Sequence, residues 1–212
     1  RGQKINPSPI EVYCKKNNIS FNSPEILNVE EELKAFKELS ANLAIVVAYG
    51  KIIPKIFLNT VKFGFINIHA SLLPKWRGAA PIQRAIMNED KNIGVSIMKI
   101  EEKLDKGPVL ASKEFKLNKN ESHGEIEKKL SLEGANLLIQ SLKLIENGNS
   151  KFIEQDDSKA TYAKKIDKNE AKINWNKDAN KVLAHIHGLS PNPGAWFEFD
   201  KERYKVLKAK IS

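Results

Sequence analysis

One cysteine in 212 residues, Cys14, rules out an internal disulfide. In Val12-Tyr13-Cys14-Lys15-Lys16 it has no second thiol nearby and reads as a half-buried helix residue. The four histidines, His69, His123, His185 and His187, form no pair at metal-ligand spacing. His185 and His187 stand two apart, on different faces of any helix, so no metal is expected. No Gly-x-Gly-x-x-Gly follows any strand candidate, which argues against a nucleotide-cofactor oxidoreductase. Apolar runs fall short of the roughly 20 residues of a bilayer span, and no charged start followed by an apolar stretch marks a leader, so a cytoplasmic protein is expected. Aromatics are few, and Trp175, Trp196 and Tyr204 read as core rather than as a platform for stacking bases. There are no internal repeats. The chain opens at Arg1-Gly2 and its last stretch, Tyr204 to Lys210, reads as a strand just beginning, as in part of a longer protein.

What is present is enough for one full α/β core with room for a second, smaller domain. Thirty-five Lys and Arg against 26 Asp and Glu give a formal charge of +9, which favours a polyanionic partner through phosphate neutralisation. Charge alone leaves nucleic-acid binding open, because a Lys- and Asn-rich composition also follows from genome base bias.

Periodicity predicts a helix over 10–17, and extended chain followed by an amphipathic helix over 24–40. The run Leu43 to Tyr49 is continuously apolar, as expected of a strand buried on both faces. Further strands are expected at 63–69, 93–100 and 109–117, with short helices near 52–59 and 81–88 between them. That alternation implies a largely parallel, doubly wound sheet. Ser122-His123-Gly124-Glu125 fits a capping box opening a long helix that Gly148 ends. The first domain is therefore drawn as 1–148, a polar, aperiodic linker as 149–169, and the start of a second domain as 170–212, with a helix around Val182 to Leu189 and a hairpin of 195–199 with 204–207.

The densest chemical signal is Phe65 to Arg84. In a strand, Asn67 and His69 point to the same side, about 6–7 Å apart. At the carboxyl end of a buried strand, an amide and an imidazole can converge on one substrate carbonyl oxygen. Asn67 would then hold the carbonyl and its oxyanion. His69 would polarise the same oxygen or handle protons near neutrality. Taken singly, Asn67 could equally be a turn residue and His69 a satisfied core histidine. Asp105 follows the 93–100 strand on what should be the same sheet edge and is the expected third member; Glu101 and Glu102 read as a solvated loop face. No Gly-x-Ser-x-Gly elbow surrounds Ser71, so direct transfer is the simpler chemistry.

The segment Phe65 to Arg84, with Leu104-Asp105-Lys106-Gly107, resembles the folate-dependent formyltransferases. Trp76-Arg77-Gly78-Ala79-Ala80-Pro81-Ile82-Gln83-Arg84 is most similar to the members that formylate initiator methionyl-tRNA. The likeness extends to Tyr49-Gly50, to Thr161-Tyr162-Ala163-Lys164-Lys165-Ile166 and to the Pro-Asn-Pro-Gly-Ala-Trp turn. It implies a Rossmann-like catalytic domain, a linker and a partial OB-like β-barrel. It also implies 10-formyltetrahydrofolate as donor, initiator methionyl-tRNA as partner, no metal, and a monomer. Asn67, His69 and Asp105 match the family's catalytic set. Val47, Ala48, Tyr49, Ser71, Leu72, Leu73, Pro74, Ile100 and Leu104 match its folate pocket, and Arg1, Gly2 and Lys4 the tail of a basic loop that enters the tRNA acceptor arm. Lys106 stands where the family has threonine and is expected to point away from Asp105. Lysines 164, 165, 168, 172, 177 and 181 could track an RNA backbone or simply form a solvated surface. Formylation of a small amine and nucleic-acid binding without catalysis remain as alternatives.

Overall fold

The computed structural model describes residues 7–27 and 30–211, which fall into two compact units divided between Ser40 and Ala41. In the first, helix α1 (Pro9–Lys16) begins where the Ser8 hydroxyl accepts the Glu11 amide at 3.1 Å. Pro9 occupies a first-turn position where no N–H is needed. Cys14 is buried on this helix. Helix α2 (Glu30–Glu38) carries three glutamates in its first turn and Lys37 in its last, both matched to the helix dipole.

The second unit contains β1 (Ala44–Val47), a single turn α3 (Lys55–Leu58), β2 (Phe65–His69), the two-residue β3 (Arg77–Gly78), α4 (Pro81–Met87), β4 (Asn92–Lys99), β5 (Val109–Lys116) and α5 (His123–Glu146). Strands β1, β2, β4 and β5 form a sheet in that order. The alternation of strands and helices pointed to a largely parallel sheet. Within this sheet, among the described residues, β1 pairs in parallel with β2, whereas β4 runs antiparallel to both β2 and β5. The connection 100–108 between β4 and β5 is too short for the helical crossover that a parallel neighbour requires.

Helix α5 opens with the capping box expected at Ser122: its hydroxyl accepts the Glu125 amide, and the Glu125 carboxylate accepts the Ser122 amide at 2.8 Å. It closes at Gly148, with φ +68. Gly134 lets the helix close on the sheet, since a Cβ there would meet Ile68 Cγ2 at 2.9 Å and Val95 Cγ2 at 3.2 Å. The face beneath it is apolar: Ile66, Ile97 and Ile145 are buried together against Ile68, Leu137 and Leu138. Each fully covered isoleucine contributes about 1.5–3 kcal/mol. The opposite face of β2 and β4 carries Asn67, His69, Ser96 and Met98.

β1 departs from the expectation of burial on both faces. Ile45 is 47% and Val47 58% exposed, because β1 is the edge strand of this sheet and α5 covers the β4–β5 side. The stretch after α5 also differs from a free linker. Ile153 exchanges two backbone hydrogen bonds with Val109, at 2.8 and 2.9 Å. Strand β6 (Tyr162–Ala163) pairs in parallel with β3, and 3-10 turns form at Asp157–Lys159 and Lys168–Ala171. Polar side chains without periodicity are what a chain needs when its partners are backbone groups elsewhere.

Helix α6 (Ala179–Leu189), capped by Asp178, precedes a hairpin of β7 (Ala195–Phe199) and β8 (Glu202–Val206). Asp200 and Lys201 have φ 48 and 62, the left-handed pair a tight hairpin turn requires. Ala171, Ile173, Ile186, Leu189, Ala195 and Trp196 form the core here, with Met87 of α4 packed against it. Ile82, Ala85 and Ile86 of α4 belong instead to the core with Ile93, Ile126 and Leu130. Trp175 and Tyr204 are not core residues as expected: they are 58% and 44% exposed. Tyr204 pairs across the hairpin with Phe197, one residue out of phase with the inward Trp196, and Trp175 and Tyr204 both pack on the Phe197 ring at 5.7 Å. No helix among the described residues is long and apolar enough to cross a membrane.

Candidate active site

Strand β2 presents Asn67 and His69 on the face that α5 leaves open. His69 is 5% exposed, and its Nε2 lies 2.9 Å from the Trp76 carbonyl oxygen. A carbonyl only accepts, so Nε2 carries the proton and a neutral His69 turns a bare Nδ1 lone pair to the other side. There the Asp105 Oδ2 stands 3.8 Å away. With the imidazole neutral, two acceptors face one another across a gap that an N–H donor fits. The Asn67 carboxamide is half-buried and has no hydrogen-bond partner among the described residues.

Asp105 reaches His69 by an unexpected path. Because β4 is antiparallel to β2, it ends beside the start of β2, where the Ile100 amide donates to the Phe65 carbonyl at 2.8 Å. The loop then doubles back. Asp105 takes φ +47, and its Oδ2 accepts the Gly78 amide at 2.8 Å. The assumption that the end of β4 shares an edge with the end of β2 is therefore corrected, although Asp105 and His69 do meet.

Residues 70–80, which carry the Trp76 carbonyl, are pinned from beneath. The Ser96 hydroxyl, fully buried, donates to the Ser71 carbonyl at 2.7 Å and accepts the Leu73 amide at 3.2 Å. Ser71 spends its own hydroxyl on the Lys75 carbonyl at 2.6 Å. The Trp76 amide donates to Thr161 Oγ1 at 2.8 Å and its indole to Asp90 at 2.7 Å.

Of the expected folate residues, Val47, Ala48 and Tyr49 lie at the end of β1, beside the Asn67 to His69 end of the parallel β2. Leu72, Leu73 and Pro74 are half-buried on the pinned loop. Ile100 stands at the other end of β2, and Leu104 is 64% exposed. Ile100 and Lys106 border an open cleft of about 700 Å³ with Lys55, Leu58 and Phe65; Asn67, His69 and Asp105 are not in its lining. Arg1, Gly2 and Lys4 lie outside the described residues.

Sequence reasoning missed Ser96, Gln155 and Asp157, and gave Arg77 no role. Arg77, 2% exposed, donates from Nε to Gln155 Oε1 and from Nη2 to Asp157 Oδ1, each at 3.0 Å. Lys106 turns to the second oxygen of Asp157. Lys106 first, then Arg77, hold the Asp157 carboxyl below the usual range. Nothing local to Arg77 in the sequence names partners nearly eighty residues on. Burial pushes His123 and His185 down. His187 faces the Lys119 and Ala209 carbonyls. None of the three joins the site. Among the described residues no group of three His, Cys, Asp or Glu could hold a metal ion.

Arg84 closes the arrangement from α4. It donates to both oxygens of Glu170, at 2.7 and 2.9 Å, and to the Lys164 and Lys165 carbonyls. This guanidinium lowers the Glu170 carboxyl from 4.5 to about 2. A depressed carboxylate stabilises the fold above its unfolded value and loses that contribution as pH falls toward about 2. Glu170 is 37% exposed, so solvent screening limits the effect to about 1 kcal/mol. Denaturant unfolding of Glu170→Gln is expected to show that loss at pH 7 and a shallower decline below pH 5 (about the unfolded carboxylate value). Parallel curves for variant and wild type would refute the linkage.

Residues 1–142 match the formyl transferase family, and residues 165–212 match the formyl transferase C-terminal domain. The methionyl-tRNA formyltransferase of Pelagibacter ubique (strain HTCC1062) is 51% identical over 212 residues, 100% of this chain and 68% of that protein. The one from Bartonella henselae (strain ATCC 49882 / DSM 28221 / CCUG 30454 / Houston 1) is 44% identical over 216 residues, 100% of this chain and 70% of that protein. Among solved structures, the N-formyltransferase from Helicobacter canadensis in complex with folinic acid and dTDP-3-aminofucose has the same fold, with a TM-score of 0.75 at 19% identity over 96% of this chain and 71% of that one. Together, the family match and the identity to these relatives establish that the chain belongs to the methionyl-tRNA formyltransferase family.

Proposed function

We propose that the protein transfers the formyl group of 10-formyltetrahydrofolate to the α-amine of methionyl initiator tRNA, giving formylmethionyl-tRNA for translation initiation. The observation that carries the chemistry is the Nδ1 of His69 facing the Asp105 carboxylate at 3.8 Å beside the unpartnered amide of Asn67. The amine nitrogen attacks the formyl carbon, and Asn67 donates to the oxygen that gains charge. Asp105 and His69 take the proton the amine loses. The bond from carbon to N10 then breaks, N10 takes a proton, and tetrahydrofolate leaves.

In this reading Val47 to Tyr49, Ser71 to Pro74, Ile100 and Leu104 form the donor pocket, and Arg1, Gly2 and Lys4 meet the tRNA. Residues 1–148 are the catalytic domain, 149–169 the linker and 170–212 the start of an OB-like barrel, in a monomeric, cytoplasmic enzyme. The charge of +9 supports a tRNA partner. Lys172 and Lys181 are paired with Glu198 and Glu89, which leaves Lys164, Lys165, Lys168 and Lys177 as cations for phosphate.

The test is formyl transfer by the full-length protein to initiator Met-tRNA, to a nucleotide-linked amino sugar and to glycinamide ribonucleotide. Transfer to the tRNA alone, with affinity falling by about 0.7–0.9 log units per log unit of salt for each phosphate contact, is the expected result. Transfer to a small amine without tRNA would overturn the acceptor assignment.

A further inference from the structure

We infer that Gln155, in the stretch after α5, is a positioning residue for Asp105. The inference rests on reading Asp105 as the proton-accepting acid. Gln155 Nε2 donates to the Asp105 carbonyl at 2.9 Å and to the Gly107 carbonyl at 2.7 Å. Its Oε1 accepts Arg77 Nε at 3.0 Å. One amide thus grips the loop on both sides of Lys106 and ties it to Arg77. The next residue after Arg77 is Gly78, whose N–H holds the Asp105 carboxylate at 2.8 Å. Asp105 is therefore fixed twice, through its backbone by Gln155 and through its side chain by Gly78, and Arg77 joins the two fixings into a closed ring.

The loop needs this support. A non-glycine residue at φ +47 sits in the sparsely populated left-handed region and keeps that geometry only when its surroundings hold it. Gln155 is itself anchored two residues earlier, where Ile153 bridges to Val109. Lys106 and Arg77 converge on Asp157 two residues later. The residue type matters as well. Only a side-chain amide offers two N–H donors for carbonyls and an acceptor for the guanidinium from one end. A glutamate keeps the acceptor and loses both donors, and it sets a carboxylate oxygen against the two carbonyls.

The discriminating experiment compares Gln155→Glu, Gln155→Ala and Asp105→Asn with wild type in the full-length protein. It reads steady-state formyl transfer to Met-tRNA and, separately, hydrogen exchange at the Gly78 amide by NMR. If Gln155 positions Asp105, Gln155→Glu behaves like Gln155→Ala: kcat falls about 100-fold, as for an ångström-scale misplacement, KM for Met-tRNA stays within about twofold, and Gly78 exchanges about tenfold faster or more. If Gln155 serves only to satisfy Arg77, Gln155→Glu matches wild type in both readouts, and the inference is wrong even if Gln155→Ala fails to fold. The two readings separate cleanly. Wild-type transfer abolished by Asp105→Asn, with Gln155→Glu unaffected, removes only the role of Gln155. An inactive wild type, or an active Asp105→Asn, removes the functional reading, while Gly78 exchange still decides whether Gln155 holds the loop.

Discussion

Replacing Asp105 by asparagine is expected to lower single-turnover formyl transfer about a thousandfold while leaving the fold intact. The substitution is isosteric, so the new amide can keep its oxygen on the Gly78 N–H, which now lies 2.8 Å from Oδ2. That same oxygen is the one that faces His69 Nδ1 at 3.8 Å, so the geometry of the pair is kept while an uncharged amide oxygen replaces the carboxylate. An amide oxygen in that place is far too weak a base to accept the proton that an attacking amine would deliver there. His69→Ala should produce a loss of similar order, and the double variant little more than either alone, because the two act on one proton. Thermal unfolding of Asp105→Asn within a few degrees of wild type would confirm that chemistry was lost rather than structure. Activity within threefold of wild type would put the proton acceptor elsewhere.

Gly107→Ala should be the most damaging small substitution near the site. A Cβ at Gly107 would lie 1.9 Å from the Lys99 carbonyl oxygen and 2.9 Å from its carbon. Both are backbone atoms at the end of β4, and the Lys99 amide is already committed to the Pro108 carbonyl at 2.9 Å. No rotamer relieves the overlap, so the 100–108 loop has to open. The cost is about 3 kcal/mol, at the upper end for overpacking, or a fall in melting temperature of about 10 °C for a chain this size. Opening the loop also draws Asp105 away from His69, so transfer should fall about 100-fold even at temperatures where the variant is folded. A variant with wild-type melting temperature and wild-type kcat would mean that the loop has another conformation equally suited to catalysis.

How far the sequence reveals this arrangement depends on the distance over which each feature is decided. Ser122 and Glu125 are three residues apart, and their capping box is legible because the helix end they satisfy is their own neighbour. The same holds for the break at Gly148 and for the two hairpin strands after Gly194. Pairing direction is decided elsewhere. Nothing within Asn92–Lys99 says that it will lie antiparallel to Phe65–His69, and the path by which Asp105 reaches His69 depends on that direction. The exposure of Ile45 and Val47 likewise depends on what lies beside and above β1 rather than on its composition.

The site divides along the same line. Asn67 and His69 share a face by the two-residue period of any strand, so their alignment can be read directly. Ser96, Gln155 and Asp157 cannot be found that way. Each is a common polar residue whose importance comes from backbone carbonyls and a guanidinium tens of residues away. Trp175 and Tyr204 show the opposite failure, since large aromatics suggest burial and these two pack on Phe197 at the surface.

Helix α4 gives residues to two cores at once, Ile82, Ala85 and Ile86 to one and Met87 to the other. It also lies so close to α6 that a Cβ at Gly188 would meet Met87 Cγ at 2.7 Å. A seven-residue helix shared in this way cannot melt out of one core and remain in the other. Heat or denaturant should therefore dissolve the catalytic sheet and the α6 hairpin in a single cooperative event, and weakening either one lowers the resistance of both.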